Sequence, residues 1–171
     1  MKAWIGLGSN QDEPESQLCS ALRRMSQAKG IEVVQTSGFY RTAPWGRADQ
    51  SYFINAVTRL ETSLEPADLL ATLLGIEHQM GRKRPADRWG PRCIDLDLLT
   101  YNEKRLFSPE LELPHPRMHL RAFVLQPLLE LDADFVIPGI GPAADQLASL
   151  EDQGVHWLGS AEMFCHGMKN E

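Results

Sequence analysis

Two helical stripes, each opened by a proline and closed by a glycine, alternate with strand-type segments over residues 3–101, and this order restricts the fold more than any single motif does. Residues 3–8, Ala-Trp-Ile-Gly-Leu-Gly, read as a short buried strand ending in a Gly-Ser-Asn turn. Leu18, Ala21, Leu22 and Met25 then recur at helical spacing after Pro14, which suits a first helical position, and Gly30 offers the stop. Ile31 to Arg41 has a strand composition broken at Ser37-Gly38, where a bulge is expected. Thr42 to Gln50, with Pro44 and Gly46, is a loop. From Tyr52 to Leu60 the period becomes two: Tyr52, Ile54, Ala56 and Leu60 share one face, and Phe53, Asn55, Val57 and Arg59 the other. Pro66 opens a second helix with Leu69, Leu70, Leu73, Ile76 and Met80 on its stripe and Gly81 as its stop, and Cys93 to about Tyr101 forms the next strand.

Strand, helix, strand, strand, helix, strand is the split βαβ order. The fold class it implies is α/β of the α+β kind: a ferredoxin-like βαββαβ core with an antiparallel sheet and both helices on one face. Extra C-terminal elements follow: a short strand near Leu111 to Leu113, the Pro114-His115-Pro116 turn, an apolar run from Phe123 to Leu131, and a last helix from Ala143 to Leu150. A chain of 171 residues fits one domain, 1–171, in which 145–171 reads as a variable terminal tail, docked or partly frayed. No apolar run approaches a membrane span and the N-terminus lacks a secretory apolar region, so the expected compartment is the cytoplasm. Cys19, Cys93 and Cys165 are odd in number and widely spaced, and in that compartment are expected to be reduced thiols without a metal or catalytic role.

A net charge of −6 argues against a nucleic-acid binder that works by bulk attraction to phosphate. The charge is uneven, however. Arg82, Lys83, Arg84, Arg88 and Arg92 face only Asp87 within residues 82–92, a local +4 that leaves −10 for the other 160 residues. This segment, with Pro85 and Gly90-Pro91, reads as a long loop that seeks an anionic partner; a solvated basic loop is the plainer alternative. Three residues on, strand alternation in Ile94-Asp95-Leu96-Asp97-Leu98-Leu99 sends both carboxylates to one face, with Cα atoms about 7 Å apart. Two such acids call for a cation, and oxygen-only ligands select a hard one, Mg²⁺; exposed acids paired to water or arginine are the alternative. Metal carboxylates beside a basic clamp are what phosphoryl-type transfer requires, and no P-loop motif is present.

The stretch Arg88-Trp89-Gly90-Pro91-Arg92-Cys93-Ile94-Asp95-Leu96-Asp97-Leu98-Leu99 resembles the signature of the 6-hydroxymethyl-7,8-dihydropterin pyrophosphokinases of folate biosynthesis. Gly6-Leu7-Gly8-Ser9-Asn10, Phe39-Tyr40-Arg41-Thr42, Gln50 through Phe53-Ile54-Asn55-Ala56-Val57, Gly75-Ile76-Glu77, and Pro114-His115-Pro116-Arg117-Met118 with Arg121, Phe123 and Leu125 match in type, order and spacing, over roughly residues 3–140. The resemblance implies transfer of the β,γ-pyrophosphoryl group of ATP to the pterin hydroxymethyl oxygen, with release of AMP. It implies two Mg²⁺ ions on Asp95 and Asp97, and Arg82, Arg84 and Arg92 on the triphosphate, with Arg82 and Arg92 closing a loop over it. Glu77, His115 and Arg121 would meet the nucleotide, and Leu98 and Leu111 would flank its adenine. Gly8, Thr42, Trp45, Phe53, Asn55, Trp89 and Phe123 would meet the pterin. No nucleic acid or membrane partner is implied, and a monomer is the family expectation.

The residues themselves support the pterin side in part, because Phe53 and Asn55 share a strand face and so set a stacking ring beside an amide. Core packing for either phenylalanine and a satisfied buried amide for Asn55 are the alternatives. Glu110 and Glu112 flank Leu111 where some relatives carry basic or hydroxyl side chains. Two other functions suit a D-x-D strand beside a basic loop: a nucleotidyl or glycosyl transferase, and a non-catalytic nucleotide sensor on the same scaffold.

Overall fold

The computed structural model describes residues 1–43, 51–81 and 93–166. Trp45, Arg82, Arg84, Trp89 and Arg92, and the loops expected over residues 44–50 and 82–92, lie outside the described residues.

The chain runs β1 (Lys2–Ser9), α1 (Pro14–Gln27), β2 (Ile31–Thr36), β3 (Phe39–Thr42), β4 (Phe53–Thr62), α2 (Pro66–Gln79) and β5 (Asp95–Tyr101), the order expected. The sheet order β5-β1-β4-β3, with β2 also on β4 and every pairing antiparallel, is that of the split βαβ core. Pro14 and Pro66 open the helices, and Gly30 and Gly81 beyond their ends take φ of 83° and 84°, a backbone that suits glycine. The interruption at Ser37-Gly38 divides one expected strand into two that pair with β4 in succession. There Ser37 Oγ accepts a 3.0 Å bond from Val57 N–H, a side chain standing in for a ladder partner.

Alternation on β1, β4 and β5 separates two cores. Ala3, Ile5, Leu7, Ile54, Ala56, Leu60, Leu96 and Leu98 pack with α1 and α2. Trp4, Val57 and Leu99 face the other way, onto α3 (Ala122–Leu131) and α4 (Ala143–Ala148). Both expected helices thus lie on one face, and the apolar run after Arg121 supplies a helix for the other. In the chain between β5 and α3, β6 (Leu106–Phe107) and β7 (Glu112–Leu113) form a short hairpin.

Two expectations need correction. The helix from Ala143 is not the last: β10 (His156–Gly159) adds a strand beside β3, and α5 (Ala161–Cys165) follows it, with β8 (Val136–Ile137) and β9 (Gly141–Pro142) a small ladder upstream. Phe164 stacks on Phe39 with ring centroids 5.0 Å apart, so this segment is docked. Nor are all three cysteines thiols. Docking of α5 on α1 brings Cys19 and Cys165 to a Cα separation of 5.5 Å, and they form a disulfide, while Cys93 stays free. Their separation of 146 residues hid the pairing from any spacing rule. Denatured without reductant, the chain should therefore take up one alkylating group by mass spectrometry, and three after reduction; three in both cases would remove the disulfide.

Candidate active site

Strand β1 is central, and its register aligns the candidate residues: Gly8 is the Cα partner of Asn55 on β4 and of Asp95 on β5, and Gly6 is the partner of Val57 and Asp97. Because side chains alternate, Asn55, Asp95 and Asp97 all rise on the α3 face, while the two glycines between them contribute no side chain. A Cβ on Gly8 would lie 2.9 Å from Asn55 Oδ1, so glycine is what lets the amide sit there. Asn55 is buried, and its Nδ2 donates a 2.8 Å hydrogen bond to Thr42 Oγ1 on β3. One amide hydrogen is spent in this way, which sets the direction of the amide. Phe53 lies half-buried on the same face, two residues earlier, with Thr42 as its own partner.

Asp95 and Asp97 are half-exposed, with the Asp97 side chain 44% accessible and its Oδ2 3.7 Å from Arg121 Nη1. Arg121 precedes α3, and its guanidinium also lies 5.6 Å from the centre of the Phe123 ring. The acids, this cation and the second expected aromatic ring are therefore neighbours. Among the described residues no cluster of three or more His, Cys, Asp and Glu side chains has metal-holding geometry. Two accessible carboxylates suit magnesium none the less, since that ion keeps several waters and takes oxygens from substrate phosphates rather than from an all-protein cage.

A cavity of about 370 Å³ opens over the outer edge of β5, lined among others by Leu70, Leu74, Leu98 and Leu111 and by Glu77, Asp97 and His115. Four residues expected at the nucleotide, Glu77, Leu98, Leu111 and His115, thus share one space with a metal candidate. Glu77 is buried and accepts a 2.7 Å hydrogen bond from Leu96 N–H, which lies between the two aspartates in sequence. It ties α2 to the last strand of the sheet and keeps the aspartate strand in place, a task its sequence position did not reveal. Glu110 and Glu112 line the same cavity on its outer wall.

His115 is held at both ends of its residue: its N–H donates to Leu99 O at 2.7 Å, and its Nδ1 accepts from Arg117 N–H at 3.2 Å. Burial first, then the positive charges of Arg121 and Arg117, push its pKa down to about 4, against a small opposing effect of Glu112. The ring is neutral at physiological pH. With Nδ1 as acceptor, Nε2 carries the hydrogen and is the donor left for a ligand.

Two further contacts involve residues that flank 82–92 in sequence. Ser9 Oγ, at the end of β1, donates to Cys93 O at 2.5 Å, and the Cys93 thiol donates to Met80 O at 3.2 Å. Met80 and Cys93, on either side of the arginine-bearing segment, are thereby tied together beside the strand of aspartates. His78, His156 and His166 are exposed and His119 half-buried. Gly6 was missed as a residue of the site floor, although its spacing of two from Gly8 carries that signal.

Comparison with known proteins gives the family of the chain. The family described as 7,8-dihydro-6-hydroxymethylpterin-pyrophosphokinase (HPPK) matches residues 4–133. A 2-amino-4-hydroxy-6-hydroxymethyldihydropteridine pyrophosphokinase of Methylorubrum extorquens is 42% identical over 154 residues, 90% of this chain and 96% of that one. One of Haemophilus influenzae is 44% identical over 136 residues, 80% of this chain and 84% of the relative. A crystal structure of Plasmodium falciparum HPPK-DHPS with pteroate superposes with a TM-score of 0.69 at 14% identity, covering 86% of this chain and 42% of that longer one, a likeness of fold. Motifs, sheet order and relatives concur, and the chain belongs to the 7,8-dihydro-6-hydroxymethylpterin pyrophosphokinase family.

Proposed function

We infer that this pyrophosphokinase transfers the β,γ-pyrophosphoryl group of ATP to the hydroxymethyl oxygen of 6-hydroxymethyl-7,8-dihydropterin, releasing AMP. The observation that carries the reading is the row Asn55, Gly8, Asp95 across three paired strands. It puts a group able to read a heterocycle edge next to a group able to hold a metal, with a side-chain-free gap between them. Membership of an enzyme family weighs against the nucleotide-sensor alternative, and the buried amide against a sugar acceptor.

In this reading ATP occupies the cavity at β5, with its base among Leu98, Leu111 and Leu70 and its phosphates toward Asp97, His115 and Arg121. The neutral His115 ring donates Nε2–H to a phosphate or ribose oxygen and adds no charge. Asp95 and Asp97 would hold two Mg²⁺ ions, which when bound would supply positive charge to the phosphate oxygens. Arg121 is already drawn toward that place by Asp97 and would turn its guanidinium to phosphate as the carboxylate takes metal. Arg82 and Arg92, with Arg84, meet the triphosphate from the segment between Met80 and Cys93, two residues that the Cys93 thiol joins. The pterin lies over Gly8, its edge read by Asn55 and by the backbone near Thr42, its faces met by Phe53 and Phe123, with Trp45 and Trp89 closing that side. The whole chain works as one monomeric catalytic domain in the cytoplasm. No helix of the described residues is long and apolar enough to cross a membrane.

Incubation with ATP, Mg²⁺ and the hydroxymethyl pterin should yield AMP and the pterin pyrophosphate in equal amounts by mass spectrometry; ADP without a pterin product would contradict the transfer. Asp97→Ala should lower kcat by at least about a thousandfold, as expected where charge stabilisation in the transition state is removed, with little change in melting temperature. Retention of wild-type turnover would refute its metal role. His115 gives a prediction for stability. Its folded pKa of about 4 lies below the ordinary 6.5, so the unfolded chain binds more protons between those values. Its contribution is present above pH 6.5 and lost as pH falls toward 4, and His115→Gln should flatten the pH dependence of denaturant stability in that window. An unchanged slope would count against the buried neutral ring.

A further inference from the structure

Glu130, near the C-terminal end of α3, spends both carboxylate oxygens on one short stretch of the β2–β3 break. Oε1 accepts from Gly38 N–H at 2.9 Å, and Oε2 accepts from the Tyr40 hydroxyl at 2.5 Å. Burial, then the neighbouring carboxylate, pushes the Tyr40 pKa up, so the phenol keeps its proton and remains the donor. Tyr40 is the Cα partner of Asn55, and two residues on Thr42 holds the Asn55 amide. At the opposite end of the same helix stand Arg121 and Phe123. One carboxylate thus joins the helix that bears one pterin wall to the strand pair that bears the other.

Packing of Val124, Leu125 and Leu128 sets how deeply α3 seats on the sheet, but apolar contact is not directional and leaves sliding and tilt weakly determined. Gln153 fixes the first turn, accepting from Ala122 N–H at 2.9 Å and donating to Leu120 O at 3.0 Å. Glu130 is the directional contact at the far end. A helix of ten residues is about 15 Å long, so with its start held by Gln153 a change of tilt at Glu130 pivots the helix about its first turn and turns the Phe123 ring relative to Phe53 and Asn55.

We propose that Glu130 is a positioning residue for the pterin: by clamping α3 to Gly38 and Tyr40 it sets the separation between Phe123 and the Phe53–Asn55 face. The proposal rests on the pterin assignment made above. The cavity assigned to the nucleotide is lined by residues of α2, β5 and 108–116 and by none of α3; Arg121, also assigned to ATP, adjoins that helix at the turn that Gln153 holds.

The test is steady-state kinetics on the full chain for Glu130→Ala, Glu130→Gln, Tyr40→Phe and Asn55→Ala, with melting temperatures. Loss of two hydrogen bonds to a charged acceptor should raise the pterin KM of Glu130→Ala about tenfold, against less than about twofold for ATP. Glu130→Gln keeps one acceptor for Gly38 N–H and should recover most of the loss. Tyr40→Phe should give a smaller rise in the same substrate, and combined with Glu130→Ala should add nothing to it. If Glu130→Ala does not fold, Tyr40→Phe and Glu130→Gln carry the same comparison. A fall in melting temperature with an unchanged pterin KM, or equal rises for both substrates, would overturn the proposal. If Asn55→Ala raises the pterin KM and the Glu130 and Tyr40 variants do not, only the positioning role fails; if Asn55→Ala also leaves it unchanged, the pterin assignment fails and the Glu130 proposal with it.

Discussion

The register of β1 is the constraint on which the site depends. A strand pairs residue for residue, and a slip by one position would send every side chain to the opposite face. Here Ala3, Ile5 and Leu7 lock one face of β1 into the core with α1 and α2, so Gly6 and Gly8 must face α3. The same logic holds on both neighbours. Ile54 and Ala56 turn Asn55 outward on β4, and Leu96 and Leu98 turn Asp95 and Asp97 outward on β5. The core therefore aligns the amide, the bare floor and the acids without any contact between them being required. Polar groups placed by apolar packing are well suited to a site, since their positions do not depend on holding one another.

Around that row, contacts distant in sequence fix what the strands alone leave open. Glu77 ties α2 to Leu96, Ser9 holds Cys93 and Cys93 holds Met80, and Arg121 leans on Asp97. Each involves a buried or half-buried polar group with a named partner, as the low polarity of the surroundings demands. Electrostatics is divided between the two halves of the site. The cavity side at β5 holds Glu77, Asp97 and a histidine kept neutral by burial, whereas the β4 side carries the Phe53 ring and the Asn55 amide with its hydrogen bond.

Much of this was legible in the sequence because it follows from period. The alternation around Asp95 and Asp97, the two faces of Phe53 to Leu60, and the proline and glycine ends of α1 and α2 each need only local spacing and a hydrophobic core to settle them. The break at Ser37-Gly38 was visible as composition, but not that a serine hydroxyl would replace a ladder partner. What local pattern does not carry is contact across the chain. The disulfide of Cys19 with Cys165, the four-residue strand at His156 and the clamp of Glu130 on Gly38 and Tyr40 join segments about a hundred residues apart or more. Such ties arise only once the sheet has formed and brought both partners to it.

The most direct test of the central role of β1 is the kinetics of Gly8→Ala. The added methyl group points onto the site floor and reaches 2.9 Å from Asn55 Oδ1, while the backbone there keeps ordinary strand angles, so the fold can accept it. Displacing the amide should raise the pterin KM about tenfold, equivalent to about 1.4 kcal/mol of binding, with a much smaller change for ATP and a melting temperature near that of the parent chain. A pterin KM equal to the parent's, in a folded Gly8→Ala protein, would contradict the claim that this bare stretch of strand is where the heterocycle lies.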